Sequence, residues 1–361
     1  MKNRNEFTRR LTLDAPIVQG PFGSGLSSVD LTVAVSESGG LGSFGVHHLD
    51  GAGIRDVAAK IRARTRRAFA LNLWMPLGDS DEPELSDAQW NAALALLKPY
   101  FDELRVPLPV RPARFGPRFD EQLETVIELA PPAFSFIFGV PSPVVLERCR
   151  RAGILTVGAA TTADEAKLLG DAGVDAIVAT GFEAGGHRPS WLREPETCLT
   201  GTLALLPQVL DVAKVPVIAA GGIADGRGIA AVLAAGAAAA QIGTAFLACE
   251  ESNAAPLHRN KLFSADARRT SLTRAFTGRL ARSIHNEFID AAQEAEKSIA
   301  PYPVHAWLTA QLRAAALAAG RADIVSLWSG QAAPLLKHRR ARELFESLVA
   351  ETDTALRGNG G

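Results

Sequence analysis

VIAAGGIADGRGIAAVLAAGAAAAQIGTAFLAC, residues 217–249, carries two short β-type runs, at 217–220 and 238–242, with a helix-period segment between them. Each run ends on a glycine site, Gly221-Gly222 and Gly243-Thr244. Strand, glycine turn, helix and strand in that order form the repeat of a parallel sheet with right-handed crossovers. Reading towards the N-terminus, the same unit recurs. Further β-type runs stand at 16–19, 41–44, 69–73, 134–138, 154–157 and 175–179. Helix-period segments separate most of them, among them 29–38, 54–66, 144–152 and 163–172. Gly153, Gly173 and Gly236 follow helices directly, where a positive φ lets the chain turn back. Eight such units predict closure into a (β/α)₈ TIM barrel, and 361 residues suit one barrel with extensions.

Two stretches break the rhythm. Residues 77–133 are too long for one turn and helix, and are expected to be an insertion after the third strand. Within them GDSDEPELSD (78–87) reads as a polar loop whose Ser86-Asp87 caps a helix over 88–97, and VPLPVRPARFGPR (106–118) reads as irregular. Residues 250–361 show mainly helical patterning and are expected to cap the mouth of a barrel spanning 1–249.

Composition narrows the function classes. Apolar residues make up 47% of the chain, enough for a large core, and the net charge is −1, which offers nothing to attract nucleic acid or an anionic membrane. The basic runs do not change this. Arg62, Arg64, Arg66 and Arg67 sit near a helix C-terminus, KHRRAR (337–342) reads as a solvated helix face, and neither is interleaved with aromatics. No apolar run approaches the ~20 residues of a membrane span. The N-terminal MKNRNEFTRR lacks the apolar segment of a secretion signal. Cys149, Cys198 and Cys249 form no CxxC pair, so a reduced, cytoplasmic setting is expected. His47, His48 and Asp50 lack a partner cluster, and no metal is expected.

The chemistry concentrates at strand ends. In barrels, the loops after the seventh and eighth strands commonly bind phosphate, and Gly221, Gly222 and Gly243 would let backbone N–H groups approach an anion while Thr244 adds a hydroxyl. Structural turns are the alternative. GFEAGGHRPSW (181–191) follows the sixth strand, and Gly185 and Gly186 keep bulk away from His187, a candidate base or anion binder. A lone histidine is more often structural, but this one sits at the C-terminal end of a barrel strand, where barrel chemistry concentrates. Glu183 reads as a hydrogen-bonder to the loop backbone. APIVQGPFGSG (15–25) places Gln19 and Gly20 at the first strand's end, and FALNLWMP (69–76) places Asn72 at the third's. GPFGSG lacks the dinucleotide spacing GxGxxG.

Taken together, PIVQG, SESGGLGSFG, FALNLWMP, GVDAIVATGFEAGGH, VPVIAAGGIADGRG, QIGTAFL and the late SLWSGQA resemble the nitronate monooxygenases, over about Ala15 to about Lys337. The resemblance implies an FMN-containing barrel that oxidises alkyl nitronates with O₂ to a carbonyl compound and nitrite. It makes His187 the catalytic histidine and Gly221, Gly222, Gly243 and Thr244 the phosphate site. It places Gln19, Gly20, Asn72, Thr180, Gly185 and Gln241 around the flavin. Thr180 stands where family members often carry Gln or Asp, and TVGAATTADEA (156–166) lacks the lysine some carry after strand five. Of the two tyrosines, Tyr100 and Tyr302, only Tyr302 in PYPVHAW is a pocket candidate. One phosphate site without a dinucleotide fingerprint predicts FMN rather than FAD. An FMN- and NAD(P)H-dependent enoyl-acyl-carrier-protein reductase, with a similar GGH motif, is the alternative enzyme. A flavin-binding barrel without turnover is the alternative of another class. IMP dehydrogenase shares the GGI loop, but its nucleophilic cysteine loop has no counterpart. Nitronate and O₂ are the expected small-molecule partners, and a homodimer is left open.

Overall fold

The computed structural model describes residues 5–76 and 84–358. Eight parallel strands form the central sheet: β1 (Ile17–Gln19), β2 (Gly42–Gly45), β3 (Phe69–Trp74), β4 (Ala133–Ile137), β5 (Leu155–Ala160), β6 (Ala176–Thr180), β8 (Val217–Ala220) and β9 (Ala239–Ile242). Their spatial order is β1-β9-β8-β6-β5-β4-β3-β2, and a parallel bridge between Val18 and Leu41 joins the two ends into a barrel. A second sheet is antiparallel, with β7 (Gly186–His187) pairing with β11 (Ala281–Ile284) and β11 with β10 (Thr270–Thr273).

All eight β-type runs become barrel strands, within three residues of their expected bounds. Their inward positions carry Val18, Ala70, Val157, Val178, Ile218 and Ala239, side chains small enough to fill a closed barrel. The helix Glu6–Arg10 closes the N-terminal end, with Phe7 and Leu11 buried against that inner cluster and Asn5 Nδ2 donating to the Ala238 carbonyl at 2.6 Å. Outward positions pack beneath amphipathic helices capped by Ser28, Asp50, Ser142, Thr162 and Asp225, whose side chains accept from N–H groups of the first turn. Gly153, Gly173 and Gly236 turn the chain after helices with φ of 73°, 88° and 105°.

The structure corrects two expectations and adds to a third. The insertion ends earlier than residue 133. The helix Phe119–Leu129 packs against Gly51–Arg64 and puts Leu123, Val126 and Ile127 in the outer core, so it is the barrel's own helix after β3. Its amphipathic pattern was hidden behind the proline-rich stretch preceding it. The helix Asp87–Glu103 is the inserted one, held at its start by the Ser86–Gln89 capping box. Its Trp90, Leu97 and Phe101 pack with Leu308, Phe288 and Ile284 of the C-terminal region, so insertion and C-terminal segment share one apolar cluster over the mouth. The C-terminal segment is mainly helical, and it also holds the β10–β11 hairpin. Finally, the helix Ala341–Gly358 lies on the barrel flank instead of the mouth. Leu344, Phe345 and Leu348 join the outer core there, and a Cβ on Gly226 would stand 2.4 Å from Glu351.

Candidate active site

One cavity opens at the C-terminal end of the barrel strands. Gly20, Asn72, Thr180, Gly185, Gly221, Gly222, Gln241, Gly243 and Thr244 line it, as does His187. Gln19 does not. It is fully buried behind the wall, where its Nε2 donates to the Gly20 carbonyl and its Oε1 accepts from the Ser43 N–H at 2.8 Å. The reason lies in the barrel's seam. β1 meets β2 through a single bridge, and the Gln19 amide supplies hydrogen bonds that a longer ladder would have made.

The glycine side of the cavity is made of backbone. Gly221 and Gly222 have φ of 111° and 68°, values that other residues adopt only under strain. A Cβ on Gly243 would meet no protein atom, so it would project into open cavity. Close approach between backbones shapes the opposite lip. A Cβ on Gly185 would fall 2.5 Å from the Gly330 nitrogen, and Gly330 N–H donates to Thr244 Oγ1 at 2.8 Å. Nothing in the local pattern of SLWSGQA assigned Gly330 to the site, although that segment contributes Trp328, Gly330 and Ala332 to the wall.

Two charged side chains, Glu183 and the buried Arg188, hold the loop after β6. Glu183 accepts from Thr202 N–H, at 2.9 and 3.0 Å, and from Thr202 Oγ1, which anchors the loop to the start of the helix Thr202–Val212. Arg188, buried, donates to the carbonyls of Thr180, Gly181 and Cys198 at 3.1, 2.7 and 2.9 Å. Its Nη groups thereby satisfy backbone oxygens that water cannot reach. Sequence reasoning passed over Arg188 because its role depends on carbonyls spread over the folded loop.

His187 stands between barrel and cap. Its backbone pairs with Ala281 across the β7–β11 ladder, and its Nε2 lies 2.9 Å from Thr277 Oγ1. The ring meets Trp74 edge-on at 4.7 Å and lies 5.3 Å from Trp328. Burial, with the nearby Arg279 charge second, lowers its pKa to about 3. The imidazole is therefore neutral at neutral pH, and the cationic role open to it in the sequence falls away. Thr277 Oγ1 can donate to the Arg279 carbonyl at 3.2 Å, and Nε2 then carries the ring proton while Nδ1 keeps its lone pair.

A second chamber adjoins the first, and Ser24, Trp74 and His187 line both. His47, His48, Arg279 and Tyr302 belong to this chamber. His47 stacks on Trp74 with ring centroids 3.9 Å apart, and burial above all lowers its pKa well below the usual histidine range. Tyr302 takes the pocket position expected of it, whereas Tyr100 packs on Phe288 at 5.0 Å in the mouth cluster. Among the described residues no group of His, Cys, Asp and Glu gathers in a metal-binding arrangement.

A cavity at the C-terminal end of a closed barrel, with glycine backbone on one side and a histidine on the other, is the geometry on which the comparisons bear. The family model for nitronate monooxygenase matches residues 5–351. The chain belongs to the nitronate monooxygenase family. It is thus an oxidoreductase, which sets aside the non-catalytic alternative. A Staphylococcus aureus (strain Newman) protein named probable nitronate monooxygenase is 36% identical over 350 residues, spanning 97% of each chain. The crystal structure of nitroalkane oxidase from Streptomyces ansochromogenes superposes with a TM-score of 0.90 at 39% identity, over 99% of this chain and all of the other. FabK from Thermotoga maritima is similar at a TM-score of 0.75 and 26% identity, covering 99% of this chain and 98% of its own. Among the described residues no helix is long and apolar enough to cross a membrane.

Proposed function

We propose that this chain oxidises alkyl nitronates with O₂, using bound FMN, to give a carbonyl compound and nitrite. The observation that carries this reading is one cavity with a glycine wall at the β8 and β9 ends facing His187 on the β6 loop. The open space beside Gly243 and the positive φ of Gly221 and Gly222 suit a phosphate held by main-chain N–H groups, with the Thr244 hydroxyl beside it. Asn72, Thr180, Gly185, Gln241 and Gly20 would flank the rest of the cofactor, with Gln19 fixing the Gly20 backbone from behind. FMN, when bound, supplies the electron acceptor for the nitronate and the electron donor for O₂.

The chain's own contribution is orientation and a dry, polar environment. Trp74, Trp328 and Leu26 shield the site, and His187 presents a neutral imidazole to the substrate. A base with a pKa near 3 is badly matched to removing a carbon-bound proton at neutral pH. That favours preformed, anionic nitronate over neutral nitroalkane as substrate, with the His187 ring orienting it and taking no proton from it. The test is anaerobic. Adding an alkyl nitronate to the purified protein should bleach its visible absorption, admitting oxygen should restore it, and nitrite should accumulate. A protein that oxidises NADH with an enoyl thioester and ignores nitronates would instead be a reductase of the enoyl type.

A further inference from the structure

The β10–β11 turn carries a largely buried cation, Arg279, that no carboxylate among the described residues neutralises. Arg279 places its guanidinium 4.1 Å from the Tyr302 ring centroid and 4.4 Å from that of Phe138. Its Nη1 is fully buried without a hydrogen-bond partner, and its side chain forms no ion pair among the described residues. Burial lowers its pKa to about 10, so it stays charged at neutral pH. Buried guanidinium groups ordinarily donate to carbonyls or carboxylates, as Arg188 does, because leaving them unpaired is costly. Glu84, the acidic residue among the described residues of the chamber wall, is exposed and makes no ion pair with Arg279. The chamber's other guanidinium, Arg313, is already engaged, donating to the Ser24 carbonyl at 2.9 Å.

The surroundings specify the rest of the ligand. The chamber measures about 590 Å³, within the ~300–1,000 Å³ of sites for drug-sized ligands. Its walls include Trp74, Phe115, Trp307 and Ala306, and its boundary with the first cavity is His187 and Trp74. We propose that this chamber is the substrate pocket, that Arg279 binds the anionic head of the substrate beside His187, and that the aromatic walls select a nitronate with a bulky apolar or aromatic substituent. The proposal draws the nitronate from the function argued above. The anion site itself is independent of that choice.

Phenylacetate, an unreactive anion of the right shape, separates the two. Calorimetric titration of the cofactor-loaded protein should show binding, and phenylacetate should compete with phenylnitromethane nitronate in turnover. Arg279→Met keeps the apolar stem between the two rings and should weaken phenylacetate binding and raise KM for that nitronate by roughly 10- to 100-fold, with circular dichroism and cofactor content unchanged. Arg279→Lys should recover part of the loss. Ala306→Phe, which fills the chamber without touching the cation, should raise KM for phenylnitromethane nitronate and spare ethyl nitronate. Wild-type binding by Arg279→Met, or no phenylacetate binding by the native protein, overturns the proposal even if nitronates are oxidised. Arg279-dependent binding without nitronate turnover keeps the pocket and overturns the assigned reaction. If Arg279→Met does not fold, equal KM changes for both nitronates in Ala306→Phe overturn the pocket.

Discussion

The two sides of the cavity are built from different material. The side at the ends of β8 and β9 is main chain, with Gly221, Gly222 and Gly243 exposing backbone where other residues would put side chains. The side formed by the end of β3, the β6 loop and the cap is side chain, with Trp74 and His187 on the cavity and Tyr302 and Arg279 behind them in the second chamber, linked by ring and cation contacts. A backbone wall offers fixed N–H dipoles and little specificity, which suits an invariant phosphate. A side-chain wall offers shape and charge, which suits a substrate. The difference predicts that damage to the first wall removes the cofactor, whereas damage to the second leaves the cofactor bound and alters turnover.

The largest effect should come from Gly222→Asp. The residue has φ of 68°, and a carboxylate there would face the cofactor phosphate in a partly desolvated cavity, where like charges repel by several kcal/mol as an order of magnitude. The purified variant should be colourless and inactive while its far-ultraviolet circular dichroism stays native. A yellow, active variant would break the assignment of the glycine wall to phosphate.

His187→Asn tests the other wall. It should keep full FMN content and lose roughly 10²-fold in kcat/KM for alkyl nitronates, the scale of a mispositioned substrate. Loss of cofactor in this variant would show that the two walls are not separable. Unchanged kinetics would return His187 to a structural role.

Gly330→Ala addresses the lip where the two walls meet. An added Cβ would lie 2.9 Å from the Glu183 carbonyl and 3.1 Å from the Gly185 nitrogen. Overpacking of this kind costs ~1–3 kcal/mol. Thermal unfolding should move down accordingly, with weaker cofactor retention. A melting temperature equal to that of the native protein would mean the lip has slack.

The smallest effect at neutral pH, and one that grows as pH falls, is a dependence on pH confined to the side-chain wall and the cap. Burial lowers the pKa of His258 and His305 to about 4 each, and both rings lie in the cap, bonded to the carbonyls of Trp328 and Ala275. Depressed histidines leave the unfolded chain binding more protons than the folded one below pH ~6.5. Their contribution is therefore complete above that pH and is lost as pH falls towards 4. Each group subtracts up to about 1.4 kcal/mol per pH unit in this window. Hydrogen exchange at pH 5.5 should show the cap opening before the barrel strands, and uniform protection would count against this localisation.

Reading the sequence located the backbone wall and, on the side-chain wall, His187 and Tyr302 but not Trp74 or Arg279. Gly221, Gly222, Gly243 and Thr244 could be found because a strand end followed by glycine is a local pattern, and closure of the barrel fixes which end faces the ligand. Glu183 was legible for a similar reason, since its partner Thr202 begins the next helix. His187 was legible by position, but its neutrality was not, because that depends on burial beneath the cap and on a charge 92 positions away, at Arg279. His47 was set aside as one of a histidine pair without a metal, and only its stacking on Trp74 brings it into the second chamber.

The order of strands, the closure into a barrel and the glycine sites were determined by the sequence alone, because each rests on periodicity and backbone freedom within a few residues. The substrate side was decided only by tertiary structure. The β10–β11 hairpin, with Thr, Ser and Arg along its strands, has no strong alternation to announce it, yet it carries Arg279 and pairs with the His187 backbone. The chamber gathers residues from 24 to 313, and its charge follows from which side chains the cap buries and which it leaves without a partner. Desolvation and pairing are properties of assembled surroundings, so no local stretch of this chain could have displayed them.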